Sequence, residues 1–163
     1  RLVCFAGMSA TPTNTTIVLT TNLTMTAAAW GVIEVTGVDT TTQKGFKGYG
    51  AIRQVHADWP ASSATATSLT MNLGAKRATN NAIIAAFSHA INEATAVGTG
   101  LTELVDVQNV DLANLEIAWN ATYRSRPSAS WATATALYAG IAIELAEPSN
   151  SFFIADPVAD LYA

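Results

Sequence analysis

The sequence predicts an all-β chain, an antiparallel β-sandwich or jelly roll followed by an extended C-terminal arm. Two observations carry this prediction. Apolar and polar residues alternate with a period of two over residues 112–145, the signature of strands with one covered face. Turn-forming residues recur between short apolar runs at roughly the 8 to 12 residue spacing of all-β domains. In LANLEIAWNATYR, Leu115, Ile117, Trp119, Ala121 and Tyr123 share one face; Asn114, Glu116, Asn120 and Thr122 fall on the other, which is expected to be wet. SRPSAS (125–130) reads as a hairpin connection around Pro127. WATATA and LYAGIAIEL then read as one bent strand, or as two strands meeting at a bulge. Such a long ribbon with a half-buried face needs a second sheet over it.

RLVCF opens a first strand over residues 2–8, so one or more upstream strands are expected to be missing before Arg1. A turn around Pro12 and Asn14 leads to a second strand, TIVLT, at 16–20. AAWGVIEVTGV (28–38) reads as a third, in which Gly31 and Gly37 suggest close packing or a bulge. Residues 39–64 form the longest irregular piece, and a loop of that length is usually functional or covered by a partner. Alternation returns in TSLTMNL (67–73), with Leu69, Met71 and Leu73 inward. NAIIAAFSHA (81–90) is apolar enough for a central strand, and a loop over 92–100 leads to a short strand over 101–110. The boundaries expected are a sandwich over 1–146 and an arm over 147–163. In that arm Phe152, Phe153, Ile154, Val158, Leu161 and Tyr162 need a surface to lie on, their own domain's or a neighbour's.

Composition narrows the function classes. Half of the 163 residues are hydrophobic, many of them alanine, but only 12% are charged, well below the roughly 25% of an average soluble domain. A surface so poor in charge suits an assembly whose subunits cover one another. The net charge of −4 argues against nucleic acid, which requires a basic patch. Cys4 is the only cysteine, so neither an internal disulfide nor a thiolate metal cluster is available. No segment has the roughly 18 consecutive apolar residues of a spanning helix, so no membrane span is expected.

With the strands placed, an ordered set of segments resembles a known family. The set is AAWGVIEVTGVD (28–39), TSLTMNL (67–73), NNAIIAAFS (80–88), GLTELVDV (100–107), LEIAWNATYR (115–124) and YAGIAIEL (138–145). It is similar to a jelly-roll-like family of β-sandwich domains in virion proteins of tailed bacteriophages, found in capsid-surface and tail-fibre proteins. The resemblance spans residues 28–145 and departs from the family at Leu101, where the family often has Trp, in KGFKGYG, and past Pro148. It implies no catalytic residues. It implies a structural or adhesive role on a virus particle, with virion localisation and with major capsid or tail proteins as partners.

His56 and Asp58, and His89 and Glu93, are pairs without a third ligand at credible spacing; no metal site is expected, and both histidines read as bland surface or strand-end residues. No nucleophile elbow and no Cys–His–acid set is present, so no catalytic residues, no cofactor and no enzymatic activity are expected. Glu34, Glu103, Glu116 and Glu144 read as solvent-facing strand carboxylates rather than an acid pair. The three glycines of KGFKGYG neither follow a clean strand nor open a helix, so they fail as a phosphate loop. Phe46, Tyr49 and Trp59 instead read as interface anchors.

The expectation is therefore a non-enzymatic virion component, a capsid decoration protein in preference to a tail fibre. It would pack as a homo-oligomer such as a trimer through Phe46, Tyr49, Trp59, Phe152, Phe153, Ile154, Leu161 and Tyr162. The alternative is a carbohydrate- or receptor-binding module in which Phe46, Tyr49 and Trp59 form an exposed platform for a surface glycan.

Overall fold

A computed structural model describes residues 2–7, 18, 20, 24, 27–39, 50–60, 64–77, 80–108, 113–146 and 153–154. Ten strands lie among them: β1 (Val35–Thr36), β2 (Ile52–Asp58), β3 (Ala66–Thr70), β4 (Ala82–His89), β5 (Ala96–Val97), β6 (Thr102–Val107), β7 (Leu115–Asn120), β8 (Ser128–Thr135), β9 (Tyr138–Leu145) and β10 (Phe153–Ile154). A five-stranded antiparallel sheet runs in the order β2-β9-β4-β7-β6, and a three-stranded one in the order β3-β8-β5. The predicted β-sandwich is the architecture observed.

The inner face follows from alternation in β4, where Ile83, Ala85 and Phe87 are fully buried. Opposite them lie Leu69 of β3, Met71 and Leu73 beyond it, and Ala129 and Trp131 of β8. The two sheets approach closely because alanine and glycine line the seam. At Gly140 an added Cβ would stand 2.7 Å from both Leu69 Cδ2 and Met71 Sδ. The inward placing of Leu69, Met71 and Leu73 and the central place of NAIIAAFSHA both hold.

The outer face of the large sheet is covered as well, and this departs from expectation. Of the expected strand over 28–38, Val35 and Thr36 pair with Ile154 and Phe153, and Val32 makes an isolated bridge. Ala29 and Ile33 pack instead on Val105, Leu115 and Ile117, with Leu2 beside them. Gly31 is the point of contact: a Cβ there would sit 2.9 Å from Ile117 Cδ1. The alternation in this segment places side chains on a sheet face and leaves its backbone outside the ladder. Residues 2–7 form no strand either, since a strand needs a neighbour to receive its amides. The strand expected at 16–20 lies largely outside the described residues.

Three further corrections concern connectivity. The expected loop over 39–64 contains β2, an edge strand paired with β9 from Ile52↔Leu145 to Asp58↔Gly140. Its sequence IRQVHAD has polar residues on both faces, so periodicity does not reveal it. The loop over 92–100 contains the two-residue β5. The expected ribbon over 112–145 is not a ribbon. Strand β7 pairs with β4 and β6, β8 pairs with β3 and β5, and β9 pairs with β4 and β2. SRPSAS therefore carries the chain from one sheet to the other, and Ala136–Leu137 brings it back. Pro127 is buried at the crossing, where its carbonyl accepts from Met71 N at 2.9 Å.

Candidate functional site

In an antiparallel sheet, directly opposed residues point to the same side. One inner-face row of the large sheet reads Gln54, Glu144, Ile83 and Asn120; another reads Asp58, Gly140, Phe87, Glu116 and Asp106. Two glutamates thus enter the space between the sheets, near opposite ends. Both are fully buried, contrary to the expectation of solvent-facing side chains. Glu34 and Glu103 are exposed, as expected. The expected wet face of β7 is covered because the three-stranded sheet lies over it while residues 27–33 cover the other side.

Glu144 is fully partnered. Its Oε1 accepts from Asn81 Nδ2 at 2.6 Å and from the Arg77 backbone amide at 2.8 Å, and its Oε2 accepts from Gln54 Nε2 at 2.5 Å. Gln54 Oε1 in turn accepts from the Gly74 amide at 3.2 Å, and the Tyr123 hydroxyl donates to the Gly74 carbonyl. The network pins the 74–77 turn across the end of the sandwich.

Glu116 is the reverse case. Neither carboxyl oxygen has a hydrogen-bond partner, and Asp106 Oδ1 on the neighbouring strand has none. Burial pushes the Glu116 carboxyl up to about 9, with the charges of Glu103 and Asp106 adding to the effect. Glu116 is therefore neutral at pH 7, a proton-holding group inside the core.

His89 lies beyond Phe87 on the same face of β4. Its ring stacks on Trp131 with centroids 4.9 Å apart, and Nε2 hydrogen-bonds Thr95 Oγ1 at 2.9 Å. Nδ1 is buried without a partner. Burial holds the imidazole below its usual value, while Glu93 and Asp106 pull weakly the other way. Glu93 clamps the adjoining loop: its two oxygens accept from Thr133 N at 2.7 Å and Thr133 Oγ1 at 3.0 Å, and the Thr133 amide holds its carboxyl below the usual range. His89 is the last residue of β4, as expected of a strand-end histidine; its burial and its stack on Trp131 were not foreseen. His56 lies on β2 rather than in a loop. Among the described residues, no three His, Cys, Asp or Glu side chains are grouped as a metal ion requires.

Of the expected interface anchors, Trp59 is 65% exposed just past the end of β2. Leu137, which the alternation of LYAGIAIEL places on an apolar face with Ala139, Ile141, Ile143 and Leu145, is 69% exposed. The pairing of Asp58 with Gly140 puts both at one end of the β2–β9 pair. Phe153 and Ile154 form β10 against β1. Phe46, Tyr49, Phe152, Leu161 and Tyr162 lie outside the described residues. The Glu116 cluster was missed because alternation alone assigned that face to solvent. Its signal lay in the flanks: IAIEL and LEIAW place a lone carboxylate among apolar residues on both faces, the composition of strands covered on two sides.

No family model, no curated protein and no solved structure matches the chain. Among the described residues, no helix is long and apolar enough to cross a membrane, a statement that leaves strand-built spans aside.

Proposed function

We propose that the chain is a non-enzymatic structural component of a bacteriophage virion, a capsid decoration or surface protein that stabilises the particle by packing against itself and its neighbours. The observation that carries the proposal is the set of large apolar side chains left exposed on a charge-poor surface: Val3, Phe5, Val18, Trp59 and Leu137. Large exposed apolar groups mark surfaces completed by a partner. The ordered resemblance over residues 28–145 supplies the virion context, and its partners would be a major capsid or tail protein. Each contact between copies would bury apolar area that a lone subunit leaves in water.

Light scattering on the purified chain, with and without residues 150–163, tests the assembly. A closed oligomer such as a trimer that dissociates on truncation or in Trp59→Ala is the expected result. A monodisperse monomer indifferent to both changes would overturn it.

One observation favours a second function, a carbohydrate- or receptor-binding module at a fibre tip or in a secreted glycan-binding domain. The Trp59 indole is open in the single chain, as a stacking surface for a sugar ring would be. A glycan screen with Trp59→Ala as control separates the two, since loss of glycan binding without change in mass belongs to this alternative alone.

A further inference from the structure

Orphaned polar atoms gather at one end of the core, on Glu116, Asp106 and His89. Glu116 lies on β7 between Phe87 of β4 and Asp106 of β6. Strand β6 presents Glu103 and Asp106; β4 presents His89; β9 carries Tyr138 near this end and Glu144 at the other. The sequences of β3, β5 and β8 contain no titratable residue, and β7 contains only Glu116 itself. Residues 27–33 on the outer face contain none, and the 90–101 loop adds Glu93, which is clamped on Thr133. No strand of either sheet carries a lysine, and the only strand arginine, Arg53 of β2, pairs with Asp39 at 2.8 Å. Among the described residues, an ionised Glu116 would meet two like charges on β6 and no cation on these strands; the Arg124 guanidinium lies against Gly100, before the opposite end of β6.

Strand β6 is also the least anchored of the strands around Glu116. Among the described residues it is an edge strand paired with β7 alone, and its register shifts between Glu103 and Val105. Moving it away would separate Glu116 from both like charges and admit water to an oxygen pair that now has no partner.

We propose that β6 is a proton-controlled latch: it stays docked on β7 while Glu116 holds its proton and opens locally, ahead of the rest of the sandwich, as that proton is lost. Opening bares a hydrogen-bonding edge on β7, so the sheet becomes competent for strand addition at alkaline pH. The latch is independent of the virion assignment.

Amide hydrogen exchange resolved by residue, corrected for intrinsic exchange, tests it on the whole chain between about pH 6.5 and about pH 8.5. Protection at residues 104–107 should fall about tenfold per pH unit, the slope of one proton released on opening. Glu116→Gln should abolish the slope at β6 while preserving protection in β4 and β9. The latch is overturned if wild-type β6 protection is independent of pH, or if Glu116→Gln shows the same fall. It is equally overturned if β6, β4 and β9 share one protection factor throughout, since opening is then global. The wild-type profile decides the matter even if the variant fails to fold.

Discussion

Glu144 and Glu116 face the same interior from the same sheet, and the molecule treats them in opposite ways. Glu144 meets three donors, from Asn81, Arg77 and Gln54, within 2.8 Å. Glu116 meets none. Both carboxyls are fully buried, so burial does not make the difference; the supply of donors does. At the Glu144 end the edge strand contributes Gln54 and a turn contributes backbone amides. At the Glu116 end the edge strand contributes two more acids. A buried carboxyl with its donors organises the end of a sandwich, and one without them stays protonated and loads that end with strain.

The contrast can be broken most severely at the partnered end. Glu144→Ala leaves Asn81, Gln54 and the Arg77 amide without their acceptor, and should destabilise the fold by about 3 kcal/mol in urea unfolding at pH 7. A loss of only a few tenths would mean that water replaces the carboxylate freely.

The same surgery at the other end should have the opposite sign. Glu116→Leu removes a group that the core shelters only in its neutral form, and should stabilise by about 2 kcal/mol at pH 8, an allowance well below the full linkage value. The gain should shrink towards zero near pH 4.5. Because the folded-state value of about 9 lies above the ordinary 4.5, the stability Glu116 allows is complete below about 4.5 and is lost as pH rises to about 9. Denaturant titrations across this range check the prediction, and a benefit that does not vary with pH would assign it to packing alone.

His89 sharpens the comparison from the acid side. Its folded-state value lies below the ordinary 6.5, so its contribution is present above 6.5 and lost as pH falls. Wild-type stability should therefore climb from pH 9 to about 6.5 and then level or decline, and His89→Gln should remove the acid-side loss. That substitution should itself cost about 1 kcal/mol at pH 7 through the lost stack on Trp131. Thermal melts at matched ionic strength would record the profile.

An effect as small is expected in Glu116's own row, at Gly140 on β9. Gly140→Ala places a methyl against the ends of Leu69 and Met71, which can rotate aside, at a cost of about 1 kcal/mol. A crystal structure of that variant with the sheets unmoved would show that the side chains absorb it.

Much of the frame was legible in the residues. Alternation in TSLTMNL placed Leu69, Met71 and Leu73 inside, and the apolar run NAIIAAFSHA announced the central strand. Gly31 signalled the close contact that it makes. Trp59 was singled out and is exposed, while its expected loop companions Phe46 and Tyr49 lie outside the described residues. Partner choice was not legible: period two says that a residue alternates faces and is silent on which strand receives the amides. Strands β7, β8 and β9 were thus joined as a ribbon although they belong alternately to two sheets.

The residues by themselves determined the class of fold and the inward placing of Leu69, Met71 and Leu73, because alternation and turn chemistry are local. They also determined the scarcity of cations on the strands, which no arrangement could change. Tertiary structure alone decided that β7 would be covered on both faces, that Asp106 would stand beside Glu116, and that Gln54 would reach Glu144. Those outcomes depend on pairings between distant segments, and whether a buried carboxyl finds donors is settled only when those pairings form.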